Sequence, residues 1–550
     1  MTRWEPPAAG REPAAAAVLG WLADPKAPHL CLVSGSAGCG KSTLLAWLVR
    51  HGSRSATPAE RAIHAVSPFA GSSARGTVWA LAAQLGLSAR TPGELVAQLA
   101  ADTRRAAIVI PDLAERAVAE LVLELARLPH VRLIVEARTG SPAHGVLAGN
   151  GYAELDLDLA QWQDTRRFEQ WQAALPPRGE ADAGARAADP VDLSSPEAVC
   201  AADPWVVTAL YEADAAEDHG GLRSSWLKAG QSLCREQTPA TRALVLLAAL
   251  GDMADPRLRP ALAGLADEAP WQVDWTLTKG DVTPPWTGPV AALTLGEGSL
   301  DGTVLAADHL GTVRILTLRD GVPHGRLSPA VGVVSALAVL LDGTLLVLGE
   351  AGGVHADRSG AQKKSGSGME ALLEGPDEAD GLITSLQGQA GTALASAGDV
   401  VALGDALGTV RVSGEAVARA ALHDGPVSAV AVVSLPVDDG TMLPVVYSGG
   451  VDGKVRAWSP LEDPMRLPVV ERRQSVVALD ATYGDEGPLV AVAWADGLVE
   501  LHQPDTGGHL RFRPGAPVRA VAVTTQGSVV VGMDETVVRL SPRIRQPTTL

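Results

Sequence analysis

The stretch that decides the fold covers residues 29–47 and reads HLCLVSGSAGCGKSTLLAW. In it, a short apolar run leads into a glycine-rich turn, and Lys41 opens a second apolar run at helical spacing. The spacing Gly35-x-x-x-x-Gly40-Lys41-Ser42 is the pattern of a phosphate-binding P-loop. Glycines suit this role because a backbone without Cβ atoms can wrap a phosphate with its N–H groups pointing inward. The alternative interpretation is a glycine-rich turn that binds nothing.

The side chains at the end of the turn suit the same chemistry. Lys41 would reach the β- and γ-phosphates, Ser42 would ligate Mg²⁺, and the following helix would add its positive N-terminal end. The predicted nucleotide site therefore consists of the consecutive residues Gly35, Ser36, Ala37, Gly38, Cys39, Gly40, Lys41, Ser42 and Thr43.

The composition limits the remaining possibilities. The chain has 550 residues, which suggests about three to four domains. Its residues are 46% hydrophobic and 20% charged, so buried cores can form. The net charge of −18 argues against a general affinity for nucleic acid or for an anionic membrane, because both need a basic face.

The four cysteines, Cys31, Cys39, Cys200 and Cys234, have neither metal-ligand spacing nor the pattern of a disulfide framework. A free thiol inside the glycine-rich turn suits a reducing compartment. No apolar run reaches about 18 residues, and the N-terminus lacks the apolar segment of a secretory signal. The sequence therefore predicts a cytoplasmic protein without a transmembrane helix.

A β-branched apolar run at residues 106–110 reads as a buried parallel strand that is followed by Pro111 and Asp112. Ligands of open α/β sheets bind at the carboxyl ends of the strands. Asp112 is thus the candidate acid for holding Mg²⁺, and Glu115 is the candidate for polarising the attacking water. In the alternative, Asp112 only caps a helix over residues 113–128.

A third strand is predicted at residues 131–135, and Arg138 follows it at the same sheet edge. An arginine there could bind a γ-phosphate, although a lone arginine also suits a solvated surface. The alternating residues 155–159 suggest the last strand of the sheet. Helices are predicted at residues 11–23, 78–87 and 91–102, and the last of these begins with Thr91 as its cap.

These segments together resemble the STAND class of P-loop NTPases, which includes the NACHT and apoptotic-ATPase groups. The resemblance rests on Gly10-Arg11-Glu12 before the first helix, on the turn GSAGCGKST, and on the strands IVIPD and LIVEAR. It implies that ATP or ADP binds with Mg²⁺ and that Gly10 and Arg11 lie near the adenine. It also implies that Lys41 and Ser42 hold the phosphates and Mg²⁺, and that Arg138 reads the γ-phosphate.

Two positions depart from that family. Its members usually carry two adjacent or closely spaced acids after the Walker B strand, whereas this chain has Asp112 and then Glu115 three residues later. The family's Gly-x-Pro contact to the base is matched here by Ala202-Asp203-Pro204, so Pro204 is the corresponding candidate. Nucleotide binding is therefore a firmer expectation than ATP hydrolysis.

Residues 176–197 are rich in Pro, Gly, Ala and Asp and read as a linker. Helical runs follow at residues 198–213, 222–237 and 238–250. The resemblance implies that residues 198–268 form a small winged-helix-like domain beside the nucleotide domain of residues 1–175. Trp205 and Trp226 suit a core position better than a ligand platform.

From about residue 270 the helical periodicity gives way to short alternating strands with glycine turns. Six copies of one apolar strand start at Val290, Val334, Ile383, Val427, Val476 and Val518, with spacings of 44, 49, 44, 49 and 42 residues. This repeat resembles WD repeats, although the Trp-Asp pair is Trp458-Ser459 and the one Gly-His-like site is near His423. Residues 269–545 are thus predicted to form a β-propeller of six blades, with seven as the alternative.

Two segments lie outside the six copies. Residues 272–277 precede the first copy and could supply the outer strand of the last blade, which would close the ring. The polar insertion at residues 358–380 reads as a flexible loop, with a partner-binding loop as the alternative.

Three functions compete on this evidence. The first is an ATP-controlled signalling or sensor NTPase whose propeller binds a protein partner, in a regulatory or bacterial defence system as the resemblance implies. The second is a propeller scaffold that keeps its nucleotide without hydrolysing it. The third, an enzyme acting through its propeller, lacks any metal-ligand cluster or paired-acid arrangement in the sequence. The first function also implies that the output comes from a separate chain or from homo-oligomerisation.

Overall fold

A computed structural model of the chain describes residues 7, 10–67, 73–148, 151–174, 191–278, 288–329, 331–359, 378–386, 388–414, 417–437 and 442–543. These residues divide into two compact units. The first unit comprises residues 1–193 and 202–215, and the second comprises residues 194–201 and 216–550. Most of the predicted linker and most of the polar insertion lie outside the described residues.

The first unit is an α/β domain built on one sheet. Its strands are β1 (Leu30–Ser34), β2 (Ala65–Val66), β3 (Ala106–Ile110), β4 (Val131–Glu136) and β5 (Ala153–Asp156). The strands pair in parallel in the order β2-β3-β4-β1-β5, so β4 lies between the strand before the glycine-rich turn and the strand before Asp112. Every residue of β1, β3 and β4 is buried, as the continuous apolar runs predicted.

Helices surround this sheet. The helices before the linker are α1 (Glu12–Ala23), α2 (Lys41–Gly52), α3 (Ala74–Leu85), α4 (Pro92–Ala101), α5 (Arg116–Leu125), α6 (Pro142–Leu147) and α7 (Thr165–Ala174). The predicted start of α4 is confirmed, because the Thr91 hydroxyl accepts the Glu94 N–H at 3.3 Å. The structure rejects Asp112 as a helix cap, because α5 begins only at Arg116 and Glu115 occupies the N-cap position.

The predicted single helix over residues 198–213 is wrong. It consists of α8 (Pro196–Ala201), in the second unit, and α9 (Pro204–Ala213), in the first unit. Pro204 cannot continue a helix from α8, and the Asp203 carboxylate caps α9 by accepting the N–H groups of the next residues. Trp226 is fully buried, as predicted.

Three more helices belong to the second unit: α10 (Leu222–Leu233), α11 (Pro239–Ala249) and α12 (Leu258–Leu265). Residues 198–268 are all described and contain no strand, so the β wing of a winged helix is not seen there. No described helix of the chain is both long enough and apolar enough to cross a bilayer.

The rest of the second unit is a six-bladed β-propeller. Strand β6 (Trp271–Thr278) precedes the blades. Blade 1 contains β7 (Val290–Leu295), β8 (Thr303–Asp308), β9 (Val313–Thr317) and β10 (Pro323–Leu327), and blade 2 contains β11 (Val334–Val339), β12 (Leu345–Gly349) and β13 (Val354–Asp357). Helix α13 (Glu378–Leu386) follows and contacts β13.

The remaining blades repeat the same antiparallel order. Blade 3 contains β14 (Ala393–Ala397), β15 (Val400–Gly404), β16 (Thr409–Ser413) and β17 (Ala418–Ala421). Blade 4 contains β18 (Val427–Pro436), β19 (Met442–Gly450), β20 (Lys454–Trp458) and β21 (Val470–Glu471). Blade 5 contains β22 (Val476–Gly484), β23 (Gly487–Trp494), β24 (Val499–Gln503) and β25 (Gly508–Phe512), and blade 6 contains β26 (Val518–Val523), β27 (Val529–Met533) and β28 (Thr536–Pro542).

The ring closes as predicted. Strand β6 pairs antiparallel with β28 and becomes the outermost strand of blade 6. The innermost strands of the blades contact one another in the cycle β7-β11-β14-β18-β22-β26-β7. Six blades therefore complete the ring, and the alternative of seven blades is excluded.

One predicted repeat copy is wrong. The sequence from Ile383 lies within helix α13, and the innermost strand of blade 3 is β14 instead. Leu382 and Leu386 stand four residues apart and belong to the core that also holds Leu394 and Leu403. A short apolar stretch that suited the repeat spacing thus belongs to a helix, which shows how weakly periodicity separates the two structures over four residues.

The Gly-His-like site near His423 is a buried hydrogen-bond network in blade 4. The imidazole contacts a carboxylate oxygen of Asp452 at 3.0 Å and the hydroxyl of Ser448 at 2.9 Å. The Asp452 carboxylate also accepts the N–H of Lys454, which fixes the turn at Gly453. Burial lowers the pKa of His423 below its usual value, although the Asp452 carboxylate acts in the opposite direction.

We predict that His423→Ala destabilises the propeller by about 2 kcal/mol, because it leaves the Asp452 carboxylate and the Ser448 hydroxyl buried without their partner. The folded-state pKa of His423 is depressed, so its contribution is complete above the unfolded pKa of about 6.5 and is lost as the pH falls. Thermal unfolding of both proteins should therefore show a difference that shrinks on acidification. The exposed His355, replaced by alanine, is the matched control, and equal effects of the two substitutions would refute the role of the network.

Candidate nucleotide-binding site

The glycine-rich turn lies at the carboxyl edge of the parallel sheet. It follows β1 directly, and the backbone N–H of Thr139, beyond β4, donates to the Gly35 carbonyl at 3.3 Å. The tip of β3 is tied to the same edge, because the Leu113 N–H donates to the Glu136 carbonyl at 2.8 Å. The structure thus brings the turn, the segment of Asp112 and the segment of Arg138 to one edge, as the strand pattern predicted.

The backbone of the turn requires glycine. Gly35, Gly38 and Gly40 have φ angles of 140°, 79° and 92°, a region that other residues rarely adopt. A Cβ atom on Gly35 would also lie 2.7 Å from the Cys39 sulfur, which is far inside contact distance. Ser36, Ala37 and Gly38 are exposed, so the outer part of the turn is open to a ligand.

The ammonium group of Lys41 turns into the loop. It donates to the carbonyl oxygens of Gly35 at 3.0 Å and Ser36 at 2.8 Å, and the residue is only 7% exposed. The charge therefore lies inside the curve of the backbone and not in solvent. An anion that entered the turn would meet this charge together with the N–H groups of Ser42 and Thr43, which have no partner within a helix because they lie in its first turn.

The hydroxyl of Ser42 donates to Oε1 of Glu136 at 2.8 Å. Glu136 ends β4, is 4% exposed, and has a second carboxylate oxygen that is buried without a partner among the described residues. Burial raises the pKa of Glu136, against the hydrogen bond from Ser42 and the nearby charge of Lys41. A hydroxyl and a carboxylate oxygen side by side are the kind of oxygen ligands that Mg²⁺ prefers.

The outer part of the turn already contacts an anionic side chain. One Asp158 carboxylate oxygen accepts the backbone N–H of Ser36 at 2.8 Å, and the other accepts its hydroxyl at the same distance. Asp158 lies two residues beyond β5 and is exposed. The carboxylate therefore uses a backbone donor of the turn that a phosphate would need.

Arg11 supports the turn from within the protein. Its guanidinium donates to the carbonyl oxygens of Cys39 and, at 2.9 Å, of Leu157, and it lies over the ring of Phe168. The residue is 1% exposed, and burial lowers the pKa of its guanidinium. Arg11 thus links the turn to the segment after β5. Its position before the first helix in the sequence does not predict this packing role.

Gly10 lies against the start of α7. Its φ is 61°, its carbonyl accepts the Asp164 N–H at 2.8 Å, and a Cβ atom would lie 2.4 Å from the Asp164 carbonyl oxygen. Any side chain at this position would therefore displace the backbone that follows β5.

The two predicted acids, Asp112 and Glu115, are exposed, whereas Glu136 is buried. Asp112 is exposed and adopts a φ of 44°, which is rare for a residue other than glycine. Glu115 is also exposed and makes no side-chain capping bond to α5. The acid that contacts Ser42 is therefore Glu136, and neither predicted acid does so in this structure.

The other candidates occupy different surroundings. Arg138 is exposed, and its carbonyl accepts the Ser141 N–H at 3.0 Å, just before α6. Pro204 begins α9, is buried, and accepts the hydroxyl of Thr208 at 2.7 Å. Thr43 is partly buried in the first turn of α2.

Sequence reasoning missed Glu136 and Asp158. Glu136 directly follows the predicted strand at residues 131–135, and Asp158 lies inside the predicted strand at residues 155–159, whereas the observed β5 ends at Asp156. Both strands border β1, and an acid near the carboxyl end of such a strand is the signal that could have found the two residues. The contacts themselves join residues that lie 94 and 122 positions apart, which no local pattern reports.

Comparisons with known proteins add the following. No family model matches the chain, and no curated protein matches it either. Among solved structures, it is similar to U3-55K (13% identity, TM-score 0.31, covering 47% of this chain and 96% of that one). It is also similar to the WD40 repeats of RRP9 (12% identity, TM-score 0.32, covering 50% of this chain and all of that one). The assignment of the propeller rests on the strand pairing of this chain.

We predict that Asp158→Asn increases the affinity of the turn for ATP with Mg²⁺. The asparagine keeps the shape of the side chain but removes a negative charge, and repulsion between unit charges about 4 Å apart in water costs about 1 kcal/mol, or about fivefold in affinity. Calorimetric titration would measure the change. The control is Asp102→Asn, because Asp102 lies four residues before β3, at the amino ends of the strands. Unchanged or weaker ATP binding by the Asp158→Asn protein would contradict the prediction.

Proposed function

We propose that the first unit binds ATP or ADP with Mg²⁺ at the glycine-rich turn and that the propeller binds a protein partner. The observation that carries the nucleotide part is the ammonium of Lys41, held inside a turn of positive-φ glycines between a buried parallel strand and a helix. A turn that only connected β1 to α2 would have no need to enclose a cation.

The residues fit such a ligand in distinct ways. Lys41 and the first N–H groups of α2 supply positive charge and donors to the phosphates. Ser42 and Glu136 offer adjacent oxygens to Mg²⁺. Asp112 lies at the same edge, because the N–H of the next residue, Leu113, donates to the Glu136 carbonyl. Arg11 acts as a positioning residue through the Cys39 carbonyl, and Arg138 is proposed to meet the γ-phosphate.

The resemblance to STAND NTPases, together with a propeller in the same chain, supports a signalling or sensor role for this pair of units. In that role, ATP changes the affinity of the propeller for its partner only if ATP binds one conformational state of the protein more tightly than another. Such a preference could arise at the turn. A bound phosphate would compete with the Asp158 carboxylate for the N–H and hydroxyl of Ser36, so the two contacts would exclude each other.

Calorimetric titration of ATP with Mg²⁺ into the full chain tests the nucleotide part. We expect Lys41→Ala to weaken binding at least about tenfold, because it removes the ammonium group that the turn encloses, and tenfold corresponds to only 1.4 kcal/mol. Lys26→Ala, which removes an exposed lysine before β1, should leave the affinity unchanged. Equal affinities for the Lys41→Ala variant and the unaltered protein would refute the proposal.

The second candidate is a scaffold that binds nucleotide without hydrolysing it. It is favoured by Glu115, whose carboxylate is exposed at the start of α5 and is not held by a capping bond. A group that positions the attacking water should be held in a fixed orientation.

Phosphate release from ATP separates the two candidates. A signalling ATPase that uses Glu115 should lose most of its turnover in Glu115→Gln while ATP affinity stays the same. Binding without turnover by the unaltered protein, or turnover that Glu115→Gln leaves intact, would instead exclude Glu115 as the group that activates water. Glu120→Gln, in the exposed part of α5, is the control.

A further inference from the structure

One face of the propeller carries a distinctive set of turns. In each antiparallel blade the strands are called A to D from the inside outward, so the A–B and C–D turns lie at one end of the blade and the B–C turn at the other. Because the six A strands surround one axis, these ends form two faces of the ring. The described turns of the first kind, together with the strand ends Asp357 and Gly484, define the AB–CD face and comprise residues 296–302, 318–322, 340–344, 357–359, 398–399, 414, 417, 437, 459–469, 484–486, 504–507 and 524–528.

The AB–CD face is strongly acidic. Its described turns contain three basic residues, Arg319, Arg358 and Arg466. They contain eleven acidic residues, namely Glu297, Asp301, Asp320, Asp342, Asp357, Asp399, Glu462, Asp463, Asp485, Glu486 and Asp505. Much of the net charge of −18 is thus concentrated at one end of the ring.

These acids differ from those of the opposite face. At the B–C turns, three of the six acids form ion pairs: Asp452 with His423, Asp496 with Arg472 and Arg513, and Asp534 with Arg519. The other three, Glu350, Asp405 and Glu535, form none with a described residue. None of the eleven acids of the AB–CD face forms an ion pair with a described residue. Their charge is therefore left for solvent or for a basic partner.

Exposed apolar side chains occur on the same face, in blade 4. The C–D turn of this blade carries Leu461, Met465 and Leu467, whose exposure is 67%, 53% and 80%. The A and B strands of blade 4 have ten and nine residues, and their ends add the exposed Val437 and Met442. Five large apolar side chains in two neighbouring turns mark an interaction surface more than a solvated one.

We infer that the AB–CD face of the propeller binds a basic segment of a partner protein, whose apolar side chains pack on the turns of blade 4. Positive side chains of that segment would face the unpaired acids, which would speed the encounter and exclude acidic surfaces. Nucleic acid and anionic membranes would be repelled by the same acids.

The cavity along the axis of the ring, enclosed by the A strands, could accept one basic side chain. The A strands line a cavity of about 340 Å³ whose wall includes Glu297 and Asp480. One carboxylate oxygen of Glu297 is buried without a partner among the described residues. The Asp480 carboxylate accepts the N–H groups of Val523 and Ala481, and burial raises its pKa to about 6. A lysine or arginine entering from the AB–CD face would supply the missing positive charge.

The inference rests on the propeller half of the proposed function and not on the nucleotide half. The probe for its test is a synthetic peptide with leucine and lysine at helical spacing, titrated into the full chain by fluorescence anisotropy. We expect binding that weakens as salt is added, because exposed charges are screened. A peptide with glutamate in place of lysine, and one with serine in place of leucine, should bind at least about tenfold more weakly.

Two variants locate the site. Replacing Leu461, Met465 and Leu467 together by serine should weaken peptide binding about tenfold or more. The combination Asp463→Asn, Asp485→Asn and Glu486→Gln should weaken it and reduce its dependence on salt. The second variant changes only exposed charges, so it keeps the test valid if the first fails to fold.

The matched control replaces three exposed apolar residues of the opposite face, Leu310, Leu407 and Val451, by serine. This variant should bind the peptide as the unaltered chain does. The inference is overturned if the unaltered chain fails to bind the peptide, if both serine variants lose binding equally, or if the glutamate peptide binds as well.

Self-association through the same face has a different signature. In analytical ultracentrifugation the apparent mass of the unaltered chain would rise with concentration, and the blade 4 variant would abolish this rise; that result would overturn the inference and assign the face to self-association. The Lys41→Ala protein should bind the peptide normally, so a failure here and a failure of the nucleotide proposal are distinguishable.

Discussion

Closure of the ring is the constraint on which the second unit depends. Each blade buries its faces only against its two neighbours, so an open row of blades would leave two apolar faces in water. Strand β6 removes this problem by pairing with β28, which joins the first strand of the propeller to its last blade. The pairing joins residues more than 250 positions apart in the chain, for example Trp271 and Pro542, so it is the contact that turns the row of blades into a ring. The faces of the ring, and the acids displayed on the AB–CD face, depend on this closure.

A different constraint organises the first unit, where three polar side chains at the glycine-rich turn and the start of α2 already have partners within the protein. Lys41 is held by loop carbonyls, Ser42 by Glu136, and Ser36 by Asp158. A nucleotide would therefore exchange one set of contacts for another, and its net affinity is the difference between the two sets. Under the proposed function the turn would have two alternative states, the observed one with the Asp158 carboxylate and one with phosphate. A signalling protein needs two such states.

Much of this architecture could be predicted from the sequence. The glycine-rich turn, the buried strands, the cap at Thr91, and the ring of six blades all follow from local patterns. The third repeat copy was misplaced because four apolar-patterned residues suit a strand as well as a helix. Glu136 and Asp158 were missed because their roles depend on contacts across the sheet edge. The buried position of Arg11 also depends on long-range packing that its neighbours in sequence do not indicate.

The central claim is that the turn after β1 binds a triphosphate. Hydrogen exchange of the full chain, with and without ATP and Mg²⁺, tests it most directly because it reports on the backbone amides themselves. The account predicts slower exchange at residues 36–43 on addition of nucleotide, with no such change in the Lys41→Ala protein. Unchanged exchange across those residues at saturating nucleotide would contradict it.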